Sequence, residues 1–206
     1  MQGASLIKRL DCHAIFTIPI DLEYDPPSGP IQDEYGISFV LPMLALRRRH
    51  DNWAKTVSES RYNDEAVRVM LAALQQRLDV STLFEDPGDA ALLVKMSGGC
   101  VRDLMHLVTL AFQQAGEKFS HAAVVAAIQR YRATFVRRVT SDDYERLAQV
   151  AHREVPRDSL TARLLYHRFA LEYTESGAVW MDVHPLIVET EEFQRAYSDK
   201  GPIVQR

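Results

Sequence analysis

The segment SGGCVRDLMHL, residues 97–107, lies between two apolar helical stripes. Glycine accepts the left-handed conformation that closes a helix, so Gly98 and Gly99 end one helix and let the next begin close by. Arg102 then falls in the first turn of the new helix, where a positive charge opposes the helix dipole by about 0.3–1 kcal/mol. At a surface, or paired with Asp103 or Glu85, such an arginine is a tolerated structural residue. Its five donors in a fixed fork also suit a phosphate oxygen. These residues alone leave both readings open.

Outward from this junction the spacing is helical. NDEAVRVMLAALQQRLD (63–79) places Val67, Met70, Leu71, Leu74 and Leu78 on one face, with acids at its start. Asp86 caps a helix that has Pro87 at its first position and carries Leu92, Leu93 and Met96 on its buried side. After the glycines, Leu104, Leu107, Val108 and Ala111 face inward to about Ala115. Ser120 caps a further helix carrying Val124, Ala127, Ile128 and Tyr131. The result is a four-helix unit over roughly residues 62–138.

Both flanks differ from this unit. HAIFTIPIDLEY (13–24) is rich in β-branched and aromatic residues and reads as a strand closed by Pro26–Pro27. FVLPMLALRRR (39–49) reads as a second strand, set at an edge or bulged by Pro42. Two such strands make no stable sheet by themselves, so a partner or further strands are expected. On the other side Ser141 caps a short helix, Asp158 or Ser159 opens another, and FALEYTESGAVWMDV alternates around the turn ESGA as a β-hairpin. Pro185 starts a last helix to about Tyr197. Helices followed by a hairpin are the order of a winged-helix module. The expected fold is therefore mostly α with a small β component.

Composition narrows the function. A net charge of −4 gives the chain no overall electrostatic footprint for nucleic acid. Cys12 and Cys100 are too few for a disulfide scaffold, so a reducing cytoplasm is the expectation. No apolar run approaches the roughly 20 residues of a membrane span. The seven histidines form neither HExxH nor a cysteine-paired spacing, so no metal site is expected. Cys100 has no local base to make it a nucleophile, and His184, Trp53 and Trp180 read as packing residues. No catalytic residue is assigned.

A strand, a second strand ending in basic residues, and a four-helix unit with GGxxRDL opening its third helix together resemble the back half of a bacterial AAA+ or STAND-type P-loop ATPase. The pieces RLDVSTLFED, SGGCVRDLMHL and WMDVHPL are similar to the lid and C-terminal module of such proteins. The resemblance divides the chain into a remnant of the αβα nucleotide-binding core (1–61), a helical lid (62–138) and a winged-helix-like module (139–206). It implies that Arg102 is the sensor 2 arginine that reaches the γ-phosphate of ATP, supported by Gly98 and Gly99. Thr17 and Asp21 both fit the sensor 1 position. Arg47, Arg48 and Arg49 would be phosphate or inter-subunit contacts, against the plainer reading of a solvated rim.

The departures matter equally. The sequence contains no GxxxxGK[ST], and its acidic pair Asp33–Glu34 lies in a loop. ATP or ADP with Mg²⁺ is therefore expected only in a complete protein that includes a P-loop half, and this chain alone should not hydrolyse ATP. Self-association is expected through unpaired strand edges, and a protein partner through the C-terminal module. DNA binding is the rival reading. The helix SLTARLLYHR offers Arg163, His167 and Arg168, with Arg157 just before it, but the wing TESGAVWMD is acidic, which disfavours phosphate. A helical protein-interaction adaptor is the third reading.

Overall fold

Side chains announce most of the helix starts. The computed structural model describes residues 39–49, 62–153, 155–156, 158–175 and 177–199, together with Ile15, Thr17, Ile18 and Ile20. Asn63 caps α1 (Asp64–Gln75), Asp79 caps α2 (Val80–Leu83), and Asp86 caps α3 (Pro87–Met96) with Pro87 in its first turn. Then come α4 (Val101–Gln114) and α5 (His121–Val136), the latter capped by Ser120. Each carboxylate, amide or hydroxyl cap satisfies a backbone donor that the helix itself leaves unpaired.

The continuation is α6 (Ser141–Ala151), α7 (Ser159–Tyr166), β1 (Ala170–Glu175), β2 (Ala178–Val183), α8 (Pro185–Val188) and α9 (Glu191–Asp199). β1 and β2 pair antiparallel with Glu175 opposite Ala178 and Ala170 opposite Val183. Gly177 takes φ +80° at the turn, a conformation glycine enters without the Cβ penalty. The described chain is thus mostly helical with one small two-stranded sheet.

Four boundaries differ from the sequence reading. The first helix stops at Gln75, and α2 follows as a separate turn because Asp79 accepts from the N–H groups of both Ser81 and Thr82. Thr140, one residue earlier than Ser141, caps α6 in a reciprocal capping box with Asp143. The final helix is two, since Thr190 interrupts it and accepts from Phe193 N–H at 3.3 Å.

Residues 39–49, expected as a strand, make only single-residue bridges, Met43 with Tyr173 and Arg47 with Tyr62. Pro42 has no donor for a ladder, and Leu46 N–H bonds back to the Leu44 carbonyl at 2.7 Å, turning the chain tightly at Ala45. Of the strand expected over residues 13–24, all but Ile15, Thr17, Ile18 and Ile20 lie outside the described residues, and those four belong to no strand.

One apolar core runs from Leu46 through α1, α3, α4 and α5 to Phe169, Leu186 and Phe193. Most periodic positions read from the sequence are in it: Val67, Met70, Leu74, Leu93, Leu104, Leu107, Val124, Ala127 and Ile128 are buried, whereas Leu71, Leu78 and Leu92 are only partly buried and pack against its edge. A second small cluster, Leu171, Tyr173 and Trp180, fills the other face of the hairpin and is covered by Met43 and Ala45. The 39–47 segment therefore backs the hairpin, and the hairpin backs the junction at Gly98.

Candidate functional site at the α3–α4 junction

Both glycines are required twice over. Gly98 and Gly99 have φ of +62° and +90°, and each also permits a close approach. A Cβ on Gly98 would lie 2.4 Å from Leu171 Cδ1 and 2.8 Å from Pro185 Cδ. One on Gly99 would lie 1.9 Å from the Leu44 carbonyl oxygen. Tyr173 OH donates to the Gly98 carbonyl at 2.6 Å, and Gly99 N–H donates to Ser97 Oγ at 3.3 Å. The junction is clamped by the hairpin on one side and by the 39–47 segment on the other.

Arg102 and Asp103, adjacent in α4, have opposite environments because successive helical residues point about 100° apart. Arg102 is exposed and makes no ion pair or hydrogen bond with any described residue. The pairings with Asp103 or Glu85 suggested by sequence do not form. Among the described residues no side chain caps the start of α4, where Cys100 occupies the N-cap. Cys100 is buried, and burial beside Asp103 pushes its thiol up to about 11, which leaves almost no thiolate near neutral pH.

Asp103 is completely buried and is the hub of a polar cluster. Its Oδ1 accepts from Tyr131 OH at 2.6 Å, and both its oxygens accept from Arg168 Nε, at 3.2 and 3.0 Å. His184 Nε2 stands 3.4 Å from Oδ2. His184 Nδ1 accepts from Leu186 N–H at 3.2 Å, which places the imidazole proton on Nε2, facing the carboxylate. Burial alone would raise the Asp103 pKa, but His184, Arg168 and Tyr131 together outweigh it and hold the carboxyl below its ordinary range.

The partners respond in kind. Burial pushes the His184 pKa down, so the ring is neutral. Burial and the adjacent carboxylate push the Tyr131 hydroxyl up. Arg168 sits at φ +59°, left-handed for a residue with a side chain, a conformation that costs roughly 1–2 kcal/mol. The Asp103 pair holds it there.

The basic run Arg47–Arg49 divides. Arg47 is buried, not on a solvated rim, with Nη1 at 3.5 Å from the fully buried Asp182. Burial opposes its charge, while Asp182, Tyr62 and Tyr173 outweigh burial and raise its pKa. Its place is therefore structural, and it is not free for a phosphate. Arg48 and Arg49 are exposed. Thr17 is exposed and belongs to no helix or strand, and Asp21 lies outside the described residues, as do Asp33, Glu34, Trp53 and Arg157. The other cations of the SLTARLLYHR stretch are engaged or partly covered, Arg163 from an exposed position. Arg163 grips Asp143 with two bonds of 3.0 Å, Arg168 grips Asp103, and His167 is half-buried.

Elsewhere, an open groove of about 840 Å³ between α6, α9 and the end of α5 is lined by Arg137, Tyr144, Glu145, Glu192 and Arg195 among others. Among the described residues no three His, Cys, Asp or Glu side chains converge to hold a metal. No described helix is long and apolar enough to cross a membrane.

Sequence reasoning singled out Arg102, Gly98 and Gly99 but missed the hub beside them. Asp103 was read only as a partner for Arg102, Tyr131 as core, Arg168 as a DNA contact and His184 as packing. Comparison with family models, curated proteins and solved structures gave no match.

Proposed function

We propose that the chain is the nucleotide-sensing lid and regulatory module of an AAA+/STAND-like P-loop ATPase, in which Arg102 reads the terminal phosphate of bound ATP. One observation carries the reading. In the first turn of a 14-residue helix with no side-chain cap among the described residues, Arg102 is exposed and unpaired, directly beside a carboxylate anchored by Tyr131 and Arg168. Free N–H groups and a guanidinium at a helix start are complementary to a phosphate group. The left-handed glycines set the angle at which α4 leaves α3.

Within this reading, ATP or ADP and Mg²⁺ are held by a P-loop core that this sequence does not contain. The residues here fit only the phosphate end of the nucleotide and offer no Mg²⁺ ligands among those described. Arg102 senses nucleotide and stabilises charge on the transferring phosphoryl group, while catalysis needs the partner half. Residues 1–61 belong to the nucleotide-binding core, 62–138 to the lid, and 139–206 to a winged-helix-like module of α6, α7 and the β1–β2 hairpin. That module serves protein contact rather than DNA, since Arg163 and Arg168 are committed to carboxylates and the wing carries Glu175. Phe39 and Leu41, both more than nine-tenths exposed, supply an apolar edge for self-association or for the P-loop half.

The test is calorimetric titration with ATP and with ADP of a protein that joins this chain to its P-loop core, with and without Arg102→Ala. A charge-assisted contact to the γ-phosphate contributes about 1.5–3 kcal/mol, so Arg102→Ala should weaken ATP roughly 10–100-fold and ADP little. Equal loss for the two nucleotides, or none, would sink the assignment.

A further inference from the structure

Four elements meet on one carboxylate. α4 supplies Asp103, α5 supplies Tyr131, the α7–β1 corner supplies Arg168, and the β2–α8 corner supplies His184. We infer that Asp103 is a latch that couples docking of the C-terminal hairpin module to the aim of Arg102.

The coupling follows from how the first turn of α4 is held. Among the described residues no side chain caps that turn and its side-chain ties are those that Asp103 makes, with Arg168 and His184 contributed by the C-terminal module. Arg102 and Asp103 are consecutive on a rigid helix, so any rotation or fraying that re-aims one pulls on the other. The module grips the same junction twice more, through Tyr173 OH on the Gly98 carbonyl and through Leu171 and Pro185 over the Gly98 Cα. Arg168 is a strained residue at the corner between helix and hairpin, and such strain persists where the surroundings over-determine it. In the docked arrangement Arg102 points to solvent and is available. Undocking releases Arg168 and His184 from Asp103 and loosens the turn that aims it.

Linkage is reciprocal. A phosphate held by Arg102 stabilises the docked hairpin by the same factor by which docking improves phosphate binding. This second half rests on the phosphate reading of Arg102. The first half, hairpin to junction, has its own readout.

The experiment uses the full chain. Amide hydrogen exchange is followed at residues 100–104 and 170–183, and the Arg102 Nε–H resonance by NMR, in wild type, Arg168→Gln and Tyr131→Phe. Arg163→Gln is the control, since it breaks an ion pair inside the same module without touching Asp103. Tyr131→Phe removes one hydroxyl from the hub and keeps the fold testable should Arg168→Gln unfold. Expected is exchange at 100–104 at least tenfold faster in both hub variants, a shifted Arg102 resonance, and no such change in the control, with α1 unchanged throughout. Unaltered exchange at 100–104 in the hub variants, or equal acceleration in the control, overturns the latch. Adding inorganic tripolyphosphate to wild type should then slow exchange at 170–183, and Arg102→Ala should abolish this. If the hub variants loosen the junction while tripolyphosphate changes nothing, the latch stands and the phosphate role of Arg102 falls.

Discussion

Gly99 and Gly177 share a positive φ but not an environment, and the contrast yields a measurable difference. Gly99→Ala incurs roughly 1–2 kcal/mol of left-handed strain and also drives its Cβ into a backbone atom. The Leu44 carbonyl oxygen, 1.9 Å from that Cβ, would have to retreat to ordinary contact at about 3.4 Å. Leu44 O accepts the 2.7 Å bond from Leu46 N–H, and the neighbouring Met43 N–H bonds Glu172 O at 3.1 Å. Losing or stretching two hydrogen bonds adds about 0.5–1.5 kcal/mol each, for a total of about 2–5 kcal/mol. Gly177, at φ +80°, has nothing within 4 Å of its Cβ position, so Gly177→Ala should cost only the strain, about 1–2 kcal/mol. Urea denaturation followed by far-ultraviolet circular dichroism reads both. With a slope of about 2–3 kcal/mol per molar, Gly99→Ala should lower the midpoint by about 1 M or more and Gly177→Ala by about half as much. Equal shifts would mean that the close approach of residues 44 and 99 does not hold the fold, and the clamp on the junction would have to be abandoned.

Three further outcomes are expected. Arg102→Ala should leave stability within about 0.5 kcal/mol of wild type, because an exposed, unpaired side chain has little to lose; a larger loss in thermal unfolding would show that the residue is structural. His184 has its pKa lowered by burial, so the folded state binds fewer protons than the unfolded one. Its stabilising contribution is complete above the ordinary imidazole value of about 6.5 and is lost as pH falls from there through the folded value. Stability should therefore decline below about pH 6.5, and His184→Asn should flatten the decline, leaving a remainder from His167, whose pKa is lowered in the same direction; an unchanged slope in the variant contradicts the assignment. With Cys12→Ser leaving Cys100 as the single thiol, maleimide labelling at pH 8 should be on the order of a hundredfold slower than for a free cysteine until the protein unfolds; prompt labelling would show that the junction opens readily.

The helices were legible because their signals are local. Asp86 and Ser120 sit just before an apolar repeat, and a cap followed by a 3.6-residue period needs no tertiary information; between Asp158 and Ser159 the sequence left the choice open, and the structure gives the cap to Asp158. The hairpin was legible for the same reason, from alternation on either side of Ser176–Gly177. The 39–49 segment was misread because an apolar run looks alike whether it joins a ladder or lies across a hairpin face, and the turn at Ala45 has no sequence marker. Of the candidate site, the sequence exposed Arg102 and its glycines, which form one short motif. The Asp103 hub was invisible because its partners lie 28 to 81 residues away: Tyr131 at a separation of 28, Arg168 at 65 and His184 still further. No local pattern distinguishes a buried arginine from a surface one. Arg47 shows the same limit, since it was grouped with two exposed neighbours while its partner Asp182 lies 135 residues on.

The bond from Tyr173 to Gly98 spans 75 residues of chain, and that distance has a consequence during synthesis. At the 5–20 residues per second of a working ribosome, about 4–15 s separate the appearance of the glycine junction from the appearance of the tyrosine that closes it. Through that interval α3 and α4 can form, but the ground over Gly98 stays open and Asp103 lacks both Arg168 and His184. The nascent chain thus presents a half-built bundle whose acid has Tyr131 but neither Arg168 nor His184, a species that a cell's chaperones are suited to hold. Completion waits for residues 168–184, so a message cut short before the hairpin yields a product that never assembles the junction at all.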